Sequence, residues 1–149
     1  MSQAALKLLR EPAVQAGMIQ ARIDSQPGPS GGHEEGGFVI RHGSGTIEIV
    51  RWPRGEGDAI DIPPHANCVW NGCEILATFH THPNTGPDYL QEPGKADRVV
   101  VRDDPDLKES HYLGEYVIAD RDVYLIQAGG DAYELGLRSK LLTTRQEDS

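Results

Sequence analysis

Cysteine, aromatic residues and positive charge are all scarce in this 149-residue chain. It has only two cysteines, Cys68 and Cys73, too few for a disulfide-stapled scaffold. Fourteen Lys and Arg stand against 23 Asp and Glu, a net charge of −9. That balance argues against a nucleic-acid binder, which needs basic side chains to neutralise phosphates. No apolar run approaches the roughly 18 residues of a membrane helix, and no basic start leads into an apolar stretch as in a secretory signal. The expectation is a protein without membrane or nucleic-acid partners, working in the cytoplasm. A hydrophobic share of 38% is still enough for one folded domain with a modest core.

Residues 1–24 read as an N-terminal helical segment in one or two pieces, with Ala4, Ala5, Leu8, Leu9, Val14, Met18 and Ile19 as its apolar face. Pro12 suits a fresh first turn. Residues 25–32 are rich in Gly, Pro and Ser and read as a flexible connector. The main domain is expected over 33–142, and 143–149 as a fraying tail. Within the domain, strands are expected at Phe38–Arg41, Thr46–Trp52, Ala59–Ile62, Glu74–His80, Tyr112–Ala119 and Val123–Ala128. A helix is expected from Lys95 to Arg102, and a final helix or strand-to-helix segment from Leu135 to Leu142. Asn84 to Gly94 reads as a long loop.

The chemistry concentrates at His80-Thr81-His82-Pro83, at the end of the apolar run Ile75–Phe79. Alternate residues of a strand share a face, so His80 and His82 can aim two imidazoles at one point. Pro83 lacks an N–H and ends the ladder there. A catalytic zinc site takes three protein ligands and keeps one position open. Asp97, at the start of the expected helix, is the natural third ligand. Two imidazoles and one carboxylate leave zinc partly positive, able to acidify a bound water. A base is then needed. Glu34 or its neighbour Glu35, in the glycine-rich stretch before the first strand, can supply it, because glycines allow close backbone approach. Cys68 and Cys73 with His65 form no zinc spacing of a known kind and read as free thiols. His33, His42 and His111 read as core or surface residues, and Trp52 and Trp70 as core aromatics.

The combination Glu34-x-Gly36-Gly37, His80-x-His82-Pro83 and Asp97 resembles the JAMM (JAB1/MPN/Mov34) metallopeptidases, their bacterial members most of all. The resemblance runs from about Glu34 to Asp97, and its spacing to Gly37 selects Glu34 over Glu35. It implies a single α/β, cytidine-deaminase-like domain with a mixed curved sheet flanked by helices. It also implies Zn2+ held by His80, His82 and Asp97, with Glu34 as general base. The implied activity is hydrolysis of a peptide or isopeptide bond, at the tail of a ubiquitin-like or other small protein. The sequence departs from the family at one position. A serine that helps stabilise the oxyanion stands three residues before the Asp in the family, and here that position is Gly94. A slow enzyme, a substitute donor (a backbone N–H or Thr85), and a non-enzymatic interaction module are the readings this opens. A processing peptidase of a toxin or phage system is a further alternative. Other His-x-His enzymes fit less well. A (β/α)8 barrel needs a longer chain, Pro83-Asn84-Thr85 offers no metallo-β-lactamase ligands, and a cupin, with Glu92 as its later ligand, needs more strands.

Overall fold

The computed structural model describes residues 3–28, 32–85 and 91–143. Two helices come first, α1 (Gln3–Leu8) and α2 (Pro12–Asp24). They are followed by β1 (Gly36–Arg41), β2 (Ile47–Arg51), β3 (Val69–Trp70) and β4 (Cys73–Thr81). Helix α3 (Lys95–Asp103) leads to β5 (Glu115–Ile118), β6 (Asp122–Ile126), β7 (Ala132–Leu137) and the short α4 (Arg138–Leu141). Among the described residues the strands form one open, seven-stranded mixed sheet in the order β2-β1-β4-β5-β6-β7, with β3 paired to the start of β4.

The sheet is antiparallel except where β4 meets β5. That parallel pair needs a crossover, and α3 supplies it. Strand β4 lies between β1 and β5, and a core packs on each of its faces, so residues 75–82 are buried. This is why it reads as a continuous apolar run and not as an alternation. Its carboxyl end is where the chain leaves for the crossover, the place where open α/β sheets put their ligands.

Each face has its own core. Ala5, Leu8, Leu9, Val14, Met18 and Ala21 of the N-terminal helices pack with Val39, Ala77, Phe79, Tyr116 and Leu125 on one face. The Tyr116 hydroxyl donates to the Ala5 carbonyl at 2.6 Å, tying α1 to the sheet. On the other face Phe38, Ile40, Trp52, Ile75 and Val117 pack against Val101 of α3 and Leu107. The even-numbered residues at the end of β4 lie on this α3 side.

The elements expected from pattern are present, with corrections. Ala59–Ile62 is not a strand; it lies in an irregular segment. Val69–Trp70 is a strand that the sequence reading missed, because two residues carry no periodicity. Leu135–Leu142 resolves into the end of β7 and then α4. Ala4 is exposed and stands outside the apolar face. Of the expected connector, Ser25 is buried and accepts a hydrogen bond from His33 N, and Gly28 bridges Asn84. Residues 29–31, part of the 84–94 loop (86–90), and 144–149 of the expected tail fall outside the described residues. Among the described residues no helix is long and apolar enough to cross a membrane.

Candidate metal centre

Register brings the site together. Strands β1 and β4 run antiparallel with Gly36 opposite His80. Cross-strand partners share a face, so Glu34, two residues before Gly36, falls on the face of His80 and His82. Glu35 falls on the other. There its N–H donates to Thr81 Oγ1 at 3.0 Å, and Thr81 N–H donates to the Glu35 carbonyl at 2.9 Å. The Glu35 carboxylate is taken by His33 and Arg51. The choice between the two glutamates is therefore a matter of strand parity, and Glu34 is the one at the histidines. Its backbone is pinned on the far side as well: Glu34 N–H donates to the Glu56 carbonyl at 2.6 Å, and Gly55 N–H to the Glu34 carbonyl at 2.9 Å.

Gly36 makes this close pairing possible. A Cβ there would lie 2.6 Å from the Phe79 carbonyl oxygen and 2.6 Å from the Trp52 ring. Glycine at this position lets the strand carry Glu34 past His80 without displacing either neighbour.

Glu34, His80 and His82 form a buried group whose ligand atoms all lie within 4.8 Å of one another, a group able to hold a metal ion. Asp97 closes the cluster from α3. Its carboxylate lies 3.5 Å from His80 Nε2 and 3.2 Å from His82 Nε2, and the two Nε2 atoms are 3.3 Å apart. Asp97 occupies the third helical position and accepts the Gly94 N–H at 3.0 Å, half of a capping box, which holds the carboxylate toward the strand end.

Both imidazoles are oriented from behind. His80 Nδ1 donates to Glu115 Oε2 at 2.6 Å, and His82 Nδ1 donates to the Gln91 carbonyl at 2.9 Å. Each ring thereby presents Nε2 to the cluster, the arrangement typical of metal-ligating histidines. Two Nε2 lone pairs and a carboxylate converging on one point repel one another unless a cation or protons sit among them. The spacing also suits a metal: ligand atoms at 2.0–2.1 Å in a tetrahedron lie about 3.3 Å apart.

The titration of these groups follows from the same geometry. Burial opposes a charge on His80, but Glu115 and Asp97 outweigh it and raise the imidazole well above its usual range. Burial likewise pushes Asp97 upward, yet the hydrogen bonds from His80 and His82 prevail and hold the carboxyl well below the usual carboxylate range. Among the described residues Glu34 has no such hydrogen bonds. Burial pushes it up to about 7, and the opposing pull of His80 and His82 is too small to cancel that. A carboxyl near neutrality suits general acid–base work.

Glu115 is a residue of the cluster that sequence reasoning missed. It lies on β5 opposite Thr78 in the parallel ladder, on the face of His80. Its other oxygen accepts the Thr78 hydroxyl at 2.8 Å. Thr78 has one hydroxyl hydrogen, so the Tyr112 hydroxyl, 2.7 Å away, donates to Thr78. Tyr112 donates to Thr78 and Thr78 to Glu115, whose carboxylate also accepts from His80, and all four residues are buried. The available signal was an acidic residue opening the apolar run Tyr116–Ala119.

The cluster opens on a cleft of about 260 Å³ lined by Glu34, Gly57, Asp58, Asn84, Gly94 and Ala96, besides His82 and Asp97. A smaller, more apolar recess of about 130 Å³ adjoins it between Trp52, Ile60, Ile62 and Val100. Thr85, whose N–H is spent on the Gly28 carbonyl, does not line either one. His65, Cys68 and Cys73 assemble no second centre: His65 bonds Asp104 and the Pro63 carbonyl, while Cys68 bonds the Ile75 carbonyl. Both thiols are free. Comparison of the chain with protein-family models, curated proteins and solved structures finds no match.

Proposed function

We propose that this protein is a zinc-dependent hydrolase of the JAMM/MPN type. It cleaves a peptide or isopeptide bond at the tail of a ubiquitin-like or other small protein. The observation that carries the reading is the convergence of His80 Nε2, His82 Nε2 and the Asp97 carboxylate at 3.2–3.5 Å, beside the buried Glu34, whose carboxyl makes no hydrogen bond among the described residues. A structural zinc site would close on four protein ligands. Here the fourth neighbour is Glu34, whose burial tunes it toward neutrality and whose carboxyl faces the cleft.

His80, His82 and Asp97 would hold the ion, which would supply a Lewis acid and an acidified water. Glu34 takes one proton from the attacking water as its oxygen bonds to the scissile carbonyl carbon. The C–N bond then breaks as Glu34 passes that proton to the leaving nitrogen, which gives a carboxylic acid and an amine. Glu115 and the Gln91 carbonyl keep the imidazoles aimed throughout. The choice of a ubiquitin-like tail as substrate rests on family resemblance alone.

Gly94 favours one second reading, a non-enzymatic module that keeps the ion but turns nothing over, because no side-chain donor stands at that position. The test is zinc stoichiometry followed by cleavage of a panel of ubiquitin-like fusions by the wild type and by Glu34→Ala. Bound zinc with cleavage by the wild type alone is the expected result. Absence of zinc overturns the metal reading. Zinc without cleavage by either protein favours the module.

A further inference from the structure

The histidine cluster occupies one end of β4, and the other end carries a second group of reactive side chains. Strand β4 opens at Cys73, straight after the turn Asn71-Gly72, whose residues both have positive φ (49° and 80°). Asn-Gly is the pair that a two-residue hairpin turn favours. Register then sets the neighbours. Arg41 of β1 pairs with Glu74, so His42, one residue on, comes opposite Cys73. Ile40 pairs with Glu48 of β2, which places Glu48 diagonally across from His42 on the same face. Three strands thus bring a thiol, an imidazole and a carboxylate to one rim of the sheet.

Their contacts run in series. His42 Nε2–H donates to Glu48 Oε1 at 2.5 Å, which leaves Nδ1 as an acceptor. Cys73 Sγ lies 3.4 Å from that Nδ1, nearer than the Asn71 carbonyl at 3.8 Å. Nucleophile, base and orienting carboxylate in this order is the arrangement that activates a thiol. The neighbouring charges are engaged with one another: Arg41 bonds Glu74 at 2.6 Å, and the other Glu74 oxygen lies 3.8 Å from His111. Cys68 is the internal contrast. It is fully buried, donates to the Ile75 carbonyl, and burial pushes its thiol up to about 11.

Access selects the chemistry. The His42 and Glu48 side chains are 39% and 52% exposed, and Cys73 is half-buried beside them. Acyl transfer calls for a site that excludes water and aims donors at an oxyanion. Thiol–disulfide exchange calls only for a thiolate and a free line of approach.

We propose that Cys73 is a reactive thiol that takes up small aliphatic disulfides as a mixed disulfide, with His42 as its base and Glu48 as the positioning residue. Cys73 Sγ gives its proton to His42 Nδ1 and forms a bond to one sulfur of the disulfide. The S–S bond of the disulfide breaks, and its other sulfur leaves with the electron pair and takes the proton from His42. One thiol and one disulfide give one mixed disulfide and one thiol. Cys68 stays reduced. The modification is independent of the hydrolase reading, because this rim lies at the opposite end of β4 from His80.

The test treats the reduced full chain with oxidised glutathione at pH 7 and follows uptake by intact mass and peptide mapping. One glutathionyl group should appear, on Cys73, about ten-fold faster than on N-acetylcysteine amide. His42→Ala should slow the uptake about ten-fold, and Glu48→Ala by less. Above about pH 9, where a thiol ionises unaided, the three rates should converge. Uptake on Cys68 in place of Cys73 overturns the proposal, as does a wild-type rate no higher than that of the model thiol. A His42→Ala deficit that persists above about pH 9 also overturns it, since base assistance would no longer be needed there. If His42→Ala does not fold, Glu48→Ala and the wild-type rate decide.

Discussion

His80 donates its Nδ1–H to Glu115 at 2.6 Å across the parallel β4–β5 pair, and this bond decides which nitrogen faces the cleft. Outer partners of this kind typically carry a 10- to 100-fold share of metal affinity. Glu115→Ala should therefore bind zinc about 10- to 100-fold more weakly than wild type in a chelator competition. Glu115→Gln, which can still accept from Nδ1, should recover part of that loss. Equal zinc affinity in all three proteins would show that Glu115 does not orient the ligand.

Zinc uptake should release protons. In the metal-free chain Glu115 and Asp97, working against burial, hold the His80 imidazole above its usual range, so it carries a proton where a free imidazole would have lost it. A ligating imidazole must be neutral. Zinc affinity should rise with pH until His80 has titrated and then level off. Titration calorimetry in buffers of different ionisation enthalpy should give a positive proton release at pH 7. A heat independent of buffer would contradict this.

Glu34 should cost the metal-free fold stability as pH rises. Its carboxyl titrates near 7 in the folded chain against an ordinary value of 4.5, so between these pH values the folded state holds more protons than the unfolded one. Stability attributable to Glu34 then falls from about pH 4.5 to about pH 7, by on the order of 3 kcal/mol, and is flat above. Glu34→Gln should remove that slope. In urea unfolding of the EDTA-stripped proteins, the advantage of Glu34→Gln over wild type should be small at pH 4.5 and several-fold larger at pH 8. The same variant should keep its zinc and lose hydrolysis.

Gly36→Ala should damage fold and site together. The added methyl meets the Phe79 carbonyl at 2.6 Å, and backbone cannot swing aside as a side chain can. The expected cost is about 1–3 kcal/mol, read as a lowered urea midpoint. Zinc affinity should also fall, because the clash is in register with His80. Full stability with full zinc affinity would mean that β1 and β4 are less tightly coupled than the pairing implies.

Much of the site was legible from local pattern. Alternation within one strand was enough to put His80 and His82 on one face, since that depends only on the pleat. The glycine start of α3 announced Asp97 near a helix terminus, and α3 does begin at Lys95. Glu34 against Glu35 was not decided by the residues themselves. It turned on the register of β1 against β4, a relation between segments more than forty residues apart. Glu115 was invisible for the same reason: nothing local says that β5 will lie parallel to β4 with Glu115 beside Thr78.

The sequence by itself determined most of the strand and helix segments, the shared face of His80 and His82 and the place of Asp97 at the start of α3, because backbone periodicity and turn chemistry act over a few residues. The tertiary structure decided which glutamate faces the histidines, which buried carboxylate aims His80, and that the start of α3 brings Asp97 to the same cluster. Those outcomes depend on register and on the packing of α3 over the sheet, and no short stretch of chain contains either.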